Sequence, residues 1–198
     1  REMNSFFAMM SRMKYIDRWA LMRNSRSENL SEHSLEVSMI AHALAVIGNT
    51  SLGKALPAEK AAVLGLYHDA TEIITGDMPT PVKYYNAEIK NTYKNIEHRA
   101  SETLLGMLPE QMQGVYREIF EKQEQDGYLW RLVKAADKLS AYIKCMEEEQ
   151  TGNLEFVRAK EQTLRHIRQM ELPEADLFLE YFMDAYGKNL DELTGGEA

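Results

Sequence analysis

The sequence predicts an all-α fold, a helical bundle of seven or eight helices forming one domain over residues 1–198. Three observations carry that expectation. Apolar side chains recur at three- and four-residue intervals along most of the chain, the period of a helix face turned toward a core. Pro57, Pro109 and Pro173 stand where helices open, and Gly48, Gly76 and Gly152 where they close. No stretch alternates apolar and polar residues as a half-buried strand would, and there is no internal repeat or low-complexity segment. A chain of 198 residues is long enough for a single well-packed core.

In order, a first helix is expected from Asn4 or Ser5 to about Ile16, with Phe7, Met10, Met13 and Lys14 at helical spacing. Asp17 to Asn24 breaks the pattern and reads as a connector, and Arg26 to Leu30 as loop. Ser31 suits the cap of the next helix, which carries Leu35, Val37, Met39, Ile40, Leu44 and Ile47 and is expected to stop at Gly48-Asn49. Pro57 opens a helix that should run through Leu64, Leu66, Tyr67, Ile73 and Ile74 to Gly76. Pro79 and Pro81 give the segment Gly76 to Lys83 an extended or turning path. Helices are then expected over about Asn86–Leu108 and Pro109–Lys122. After the connector Gln123–Gly127, a helix from Tyr128 to about Glu149 shows a stripe of Leu129, Leu132, Val133, Ala136, Leu139, Ile143 and Met146. Two more follow, Glu155–Met170 and a last amphipathic one from Pro173 with Leu177, Phe178, Tyr181 and Phe182.

Composition narrows the function. A net charge of −8 disfavours broad binding to nucleic acid or an anionic membrane, which needs a basic face. No apolar run approaches the roughly 20 residues of a membrane span. A lone Cys145 excludes an intramolecular disulfide and fits a reducing cytoplasm. Arg12, Lys14, Asp17 and Arg18 arrive too early for a signal-peptide core, and Arg1 and Glu2 are expected to be additions before a native Met3.

The stretch around which the chain is organised is Leu66-Tyr67-His68-Asp69-Ala70-Thr71-Glu72. On a helix, Glu72 would project between His68 and Asp69 on one face. An imidazole and two carboxylates on a mostly apolar segment need a partner, and a divalent metal is the obvious candidate. A His-Asp pair by itself carries little information. Two further groups support it: His33 in the first turn of its helix, and Asp137, four residues after Val133 at the edge of a buried stripe. Two imidazoles and two carboxylates suit one divalent transition metal ion, with coordination positions left for water and a substrate oxygen.

His33, His68-Asp69 and Asp137 match, in order, the H…HD…D motif of the HD-domain phosphohydrolases, which the chain resembles. The segments Ile16-Asp17-Arg18-Trp19, Ser31-Glu32-His33-Ser34-Leu35, Tyr67-His68-Asp69-Ala70, Gly76 to Lys83 and Lys134 to Leu139 are similar to the bacterial 5′-deoxynucleotidases of that superfamily. The resemblance implies an HD-type bundle that hydrolyses deoxyribonucleoside 5′-monophosphates to deoxynucleoside and phosphate. His33, His68, Asp69 and Asp137 would hold the metal (cobalt, manganese or copper), with His33, Asp69 and Asp137 also lying against the substrate. Arg18 would contact the phosphate and Glu72 would orient or deprotonate the attacking water. Trp19 would lie against the sugar at C2′. Asp77, Met78, Pro79 and Thr80 would bind the sugar hydroxyl and the phosphate. A homodimer is also implied. Ala70-Thr71-Glu72 stands where cyclic-dinucleotide phosphodiesterases of the superfamily carry glycine-tyrosine-proline.

Plainer readings compete. Asp137 could pair with Lys134 or Lys138, and Arg18 and Trp19 without the resemblance read as packing with a cation–π contact. His42, His98 and His166 read as solvated or structural, and Cys145 as a small core or interface residue. Glu147-Glu148-Glu149 reads as a solvated helix end, and Tyr84-Tyr85 as packing. A non-catalytic metal- or nucleotide-binding protein is the rival class, and the presence of Arg18 and Glu72 argues against it.

Overall fold

The computed structural model describes residues 3–195; Arg1 and Glu2, read as additions before Met3, lie outside them. Helices follow one another as α1 (Phe6–Met10), α2 (Leu30–Ser51), α3 (Ala58–Tyr67), α4 (Glu72–Thr75), α5 (Thr80–Lys83) and α6 (Ala87–Leu105). Then come α7 (Glu110–Phe120), α8 (Gly127–Gln150), α9 (Val157–Gln169), α10 (Pro173–Phe182) and α11 (Leu190–Leu193). Seven of these have ten residues or more. The all-α expectation holds, the single extended pairing among the described residues being an antiparallel bridge between Asp17 and Asn29.

The core lies where α2, α3 and α8 meet, with α9 and α10 packed beside them. Leu44, Leu64, Leu132 and Leu139 are fully buried there. Each contributes about 1.5–3 kcal/mol by leaving water. A smaller apolar cluster joins α1 to the end of α6, around Phe6, Leu104, Leu105 and Leu108. Gly65 sets the spacing of the central pair of helices. A Cβ there would lie 3.1 Å from both the Ser38 Cα and the Val37 carbonyl oxygen, so only glycine lets α3 approach α2 this closely.

Several local expectations are corrected. The cap of α2 is Asn29, not Ser31: its side chain accepts from the Glu32 amide while Glu32 accepts from the Asn29 amide, a reciprocal box that satisfies two helix-end donors. Gly48 does not end α2, which runs on to Ser51. It is small because Leu56 and Glu174 crowd it. The helix expected from Pro57 to Gly76 breaks at the His-Asp pair. Residues 68–71 form tight turns, with Ala70 N–H bonded to the Tyr67 carbonyl and Glu72 N–H to the Asp69 carbonyl, both 3.0 Å. The segment after Gly76 is not wholly extended either, since Pro81 sits in the first turn of the four-residue α5.

The faces also differ in places. Phe6 rather than Phe7 is buried at the N-terminus, and Leu35, Met39, Leu66, Ile74 and Ile96 are exposed. Phe182 of α10 is partly exposed beside Met39 and α11, and Tyr181 is exposed. Tyr84 and Tyr85 stand in solvent rather than packing. Glu148 is buried, because Lys144, the Ser25 amide and Asn153 all donate to it. Cys145 is a core residue whose thiol burial pushes up to about 12.

Candidate metal centre

Three helix ends or faces supply the site. His33 lies one turn into α2, His68-Asp69 in the turns after α3, and Asp137 in the middle of α8. The close approach at Gly65 carries the His68 ring to within 5.4 Å of the His33 ring, centroid to centroid. His33 Nε2 is 2.9 Å from Asp137 Oδ1 and 3.6 Å from Asp69 Oδ2. His68 Nε2 is 3.1 Å from Asp69 Oδ2 and 3.7 Å from Asp137 Oδ1. One donor atom from each of the four residues lies within 4.8 Å of all the others.

The outer nitrogens are fixed. His68 Nδ1 donates to the Gly65 carbonyl at 2.7 Å, and His33 Nδ1 meets Ser140 Oγ at 3.0 Å. Such outer contacts set which ring nitrogen faces inward and sharpen its basicity toward a metal. His68 Nε2 is buried with no hydrogen-bond partner. A buried nitrogen left unpaired beside two carboxylates suits a divalent cation. Charge logic agrees. Burial disfavours the charged form of His68, yet Asp69 and Asp137 outweigh it and hold its pKa well above the ordinary value. Burial likewise opposes ionisation of Asp137, and the two imidazoles pull it well below the usual range. The cluster therefore holds positive charge strongly, whether as protons or as a metal ion. No ion pair joins Asp137 to Lys134 or Lys138 among the described residues, so that plainer reading fails.

Arg18 reaches the same cluster, its Nη1 3.6 Å from Asp69 Oδ2. Burial weakens its charged form, but Asp137, Asp69, Glu28 and Asp77 reverse the effect. Glu72 is buried with Oε2 unpaired, and burial followed by the repulsion of Asp69 and Asp77 pushes it up to about 9. Asp77 is half-buried within electrostatic reach of Arg18 and Asp69. Met78 and Pro79 are half-buried and Thr80 is exposed on the approach to α5. Trp19 is turned not toward Arg18's charge but edge-on to Phe156, 5.4 Å between centroids, with its indole N–H on Glu28. It has φ of +57°, a conformation that costs a bulky residue on the order of 1–3 kcal/mol.

Sequence reasoning missed Ser140 and Glu28. Ser140 carried a usable signal, standing three residues after Asp137 on the same helix face. Glu28 carried none, since its partners are ten and nine residues away across a loop. A second group of potential ligands, His98, Glu102 and Glu121, is on the surface, and Arg117 already pairs with both carboxylates.

Comparison with known proteins decides the family. The model of the YfbR-like 5′-deoxynucleotidases matches residues 5–186. The chain belongs to that family. Among relatives, a 5′-deoxynucleotidase of Erwinia tasmaniensis is 47% identical over 189 residues, covering 96% of each chain. One from Yersinia pestis is 46% identical over 192 residues, covering 97% of this chain and 98% of its own. Of solved structures, an HD-domain phosphohydrolase from Listeria innocua superposes with a TM-score of 0.80 at 22% identity, covering 96% of this chain and 95% of that one. The cyanophage S-2L HD phosphohydrolase, bound to dA and one catalytic Zn2+ ion, superposes with a TM-score of 0.64 at 18% identity, covering 92% and 96%. These two share the fold of this family member.

Proposed function

We propose that this chain is a metal-dependent hydrolase of deoxyribonucleoside 5′-monophosphates, releasing deoxynucleoside and phosphate, with residues 1–198 acting as one HD-type domain. The observation that carries the reading is the four-donor cluster, its inward His68 Nε2 unpaired, with Arg18 beside Asp69. It agrees with the activity named for the relatives from Erwinia and Yersinia, and with the Zn2+ ion and dA of the cyanophage protein.

His33, His68, Asp69 and Asp137 would hold one divalent transition metal ion; cobalt, manganese and copper are the ions the family resemblance favours. Such an ion would supply Lewis-acid charge to the phosphoryl group, acidify the attacking water and draw Glu72 toward its carboxylate form. The chain's own residues do the rest. Arg18 is held on one side by Glu28 and Asp69, and its remaining N–H groups fit a phosphoryl oxygen, stabilising the charge that grows as the ester breaks. The unpaired Glu72 Oε2 would accept a proton from the water as the water oxygen bonds to phosphorus; the P–O5′ bond breaks and O5′ leaves with that proton, handed on from Glu72, which returns to its carboxylate form. Trp19 lies against C2′ and leaves no room for a ribose hydroxyl, while Asp77 through Thr80 bind the 3′ side of the sugar and the phosphate.

A homodimer fits the partly exposed apolar face of Met39, Phe182 and Leu193, which borders a cavity between α2, α10 and α11. A cytoplasmic location fits the single buried cysteine, and no helix among the described residues is long and apolar enough to cross a membrane. The test is phosphate release from matched deoxy- and ribonucleoside monophosphates after chelation and return of cobalt, manganese, magnesium or zinc. Metal-dependent release from the deoxy forms alone is expected. Equal release from both sugars would remove the deoxy selectivity, and no release with any metal would leave a binding protein.

A further inference from the structure

Arg18 and Trp19 are adjacent in sequence, yet their side chains are assigned different tasks, one toward phosphate and one toward sugar. A single atom joins them. Glu28 Oε2 accepts the Arg18 Nε–H at 3.3 Å and the Trp19 Nε1–H at 2.9 Å. The contact is shielded, since the Arg18 and Glu28 side chains are only 13% and 12% exposed, so water competes weakly for either bond.

The backbone supports the same arrangement. The Arg18 amide donates to the Glu28 carbonyl at 2.9 Å, and the Leu30 amide to the Ile16 carbonyl at 2.8 Å. These bonds bracket the bridge between Asp17 and Asn29, so residues 16–18 and 28–30 form a short antiparallel clasp just ahead of α2. Trp19 then turns left-handed, which persists in a bulky residue only where its surroundings over-determine it. Four groups do so: Glu28 on the indole nitrogen, Phe156 edge-on to the ring, and the Met22 backbone amide and Asn24 side-chain amide on the Trp19 carbonyl at 3.0 and 3.1 Å. On the other partner, Glu28 takes Nε and Asp69 lies by Nη1, while Nη2 has no protein partner among the described residues.

We propose that Glu28 is a positioning residue that locks Arg18 and Trp19 into one unit, so that phosphate orientation and sugar discrimination are set together through its shared carboxylate oxygen. The inference rests on the substrate reading above. Its chemistry separates two substitutions. Glu28→Ala frees both side chains. Glu28→Gln keeps an oxygen that accepts the indole N–H but removes the negative charge that orients the guanidinium.

The test measures KM, kcat and the deoxy-to-ribo ratio of the metal-loaded enzyme for Glu28→Ala, Glu28→Gln, Trp19→Ala, Arg18→Ala and the Glu28→Ala/Trp19→Ala pair. In parallel, Trp130→Phe leaves Trp19 as the only tryptophan, and its emission is read without substrate. Glu28→Ala is expected to weaken kcat/KM for deoxynucleotides by about 10–100-fold, in the range seen when an outer-shell partner is lost. It should also lower the sugar ratio to that of Trp19→Ala, with no further fall in the double variant, and shift the emission of Trp19. Glu28→Gln should keep the ratio and raise KM. An unchanged ratio and KM in folded Glu28→Ala would overturn the proposal; if that variant does not fold, an unchanged KM in Glu28→Gln does so. If Trp19→Ala and Arg18→Ala themselves alter neither ratio nor turnover, it is the substrate reading that fails, and the emission of Trp19 still reports whether Glu28 holds it.

Discussion

One face of α8 carries two buried polar clusters of opposite character. Asp137 and Ser140 serve the first, and Lys144 and Glu148 the second, at successive spacings of three and four residues along the same helix. In the second cluster every demand is met. Glu148 accepts from Lys144, from the Ser25 amide at 2.8 Å and from Asn153 at 2.8 Å, while Lys144 also donates to the Arg26 carbonyl. In the first, His68 Nε2 and Glu72 Oε2 are unpaired, and burial together with Asp69 and Asp77 opposes the carboxylate form of Glu72. A satisfied buried pair is a pin that fixes the 23–26 loop to α8. An unsatisfied one is a place made for a ligand.

That contrast is broken most severely at Asp137. Asp137→Ala should reduce phosphate release to background and abolish metal retention, measured by metal content after gel filtration, while far-UV circular dichroism stays unchanged. Full activity in that variant would end the metal-site reading. Arg18→Ala should lower kcat on the order of 10²–10³-fold, the range for removing a donor that acts on developing charge. The pinned cluster should respond in the other currency. Glu148→Ala leaves the Lys144 ammonium buried without its counter-charge and should cost about 3–5 kcal/mol in urea unfolding, with turnover per folded molecule falling less than tenfold. If Asp137→Ala in the metal-free protein destabilises more than Glu148→Ala, the distinction between pin and ligand site is wrong.

Acid sharpens the same comparison. Burial alone would raise the Glu148 pKa, but Lys144, Asn153 and Ser25 bring it down to about 2. A carboxylate depressed in the folded state adds stability that is fully present above its ordinary value near 4.5 and is lost as pH falls toward 2. Unfolding free energy should thus decline from pH 5 to pH 3 in the parent and less so in Glu148→Gln; equal slopes would refute the assignment. The smallest expected effect is at the sugar. Trp19→Ala should lower the deoxy-to-ribo ratio about tenfold, because steric exclusion of one hydroxyl reaches only about 10².

How much of this was legible beforehand varied with the length scale. The seven long helices follow from apolar periodicity and proline placement, because helix faces are local properties of the chain. His33, His68, Asp69 and Asp137 were legible because an ionisable group on an apolar stretch is costly and so stands out. The exposure of Leu35 and Met39 was not, since periodicity marks an apolar face without saying what covers it. Glu148 read as solvated because two of its donors, the Ser25 and Arg26 amides, arrive from more than 120 residues away in the chain.

The sequence by itself therefore determined the helical class, the four potential ligands and the family resemblance, each written in residue type and local spacing. Only the tertiary structure decided which polar groups are paired and which are left open. It brought His33 and His68 together through the missing Cβ of Gly65, and it put Glu28 on both Arg18 and Trp19. Pairing is a property of contacts between distant segments, and an unpaired atom such as His68 Nε2 exists only once every neighbour has taken its place.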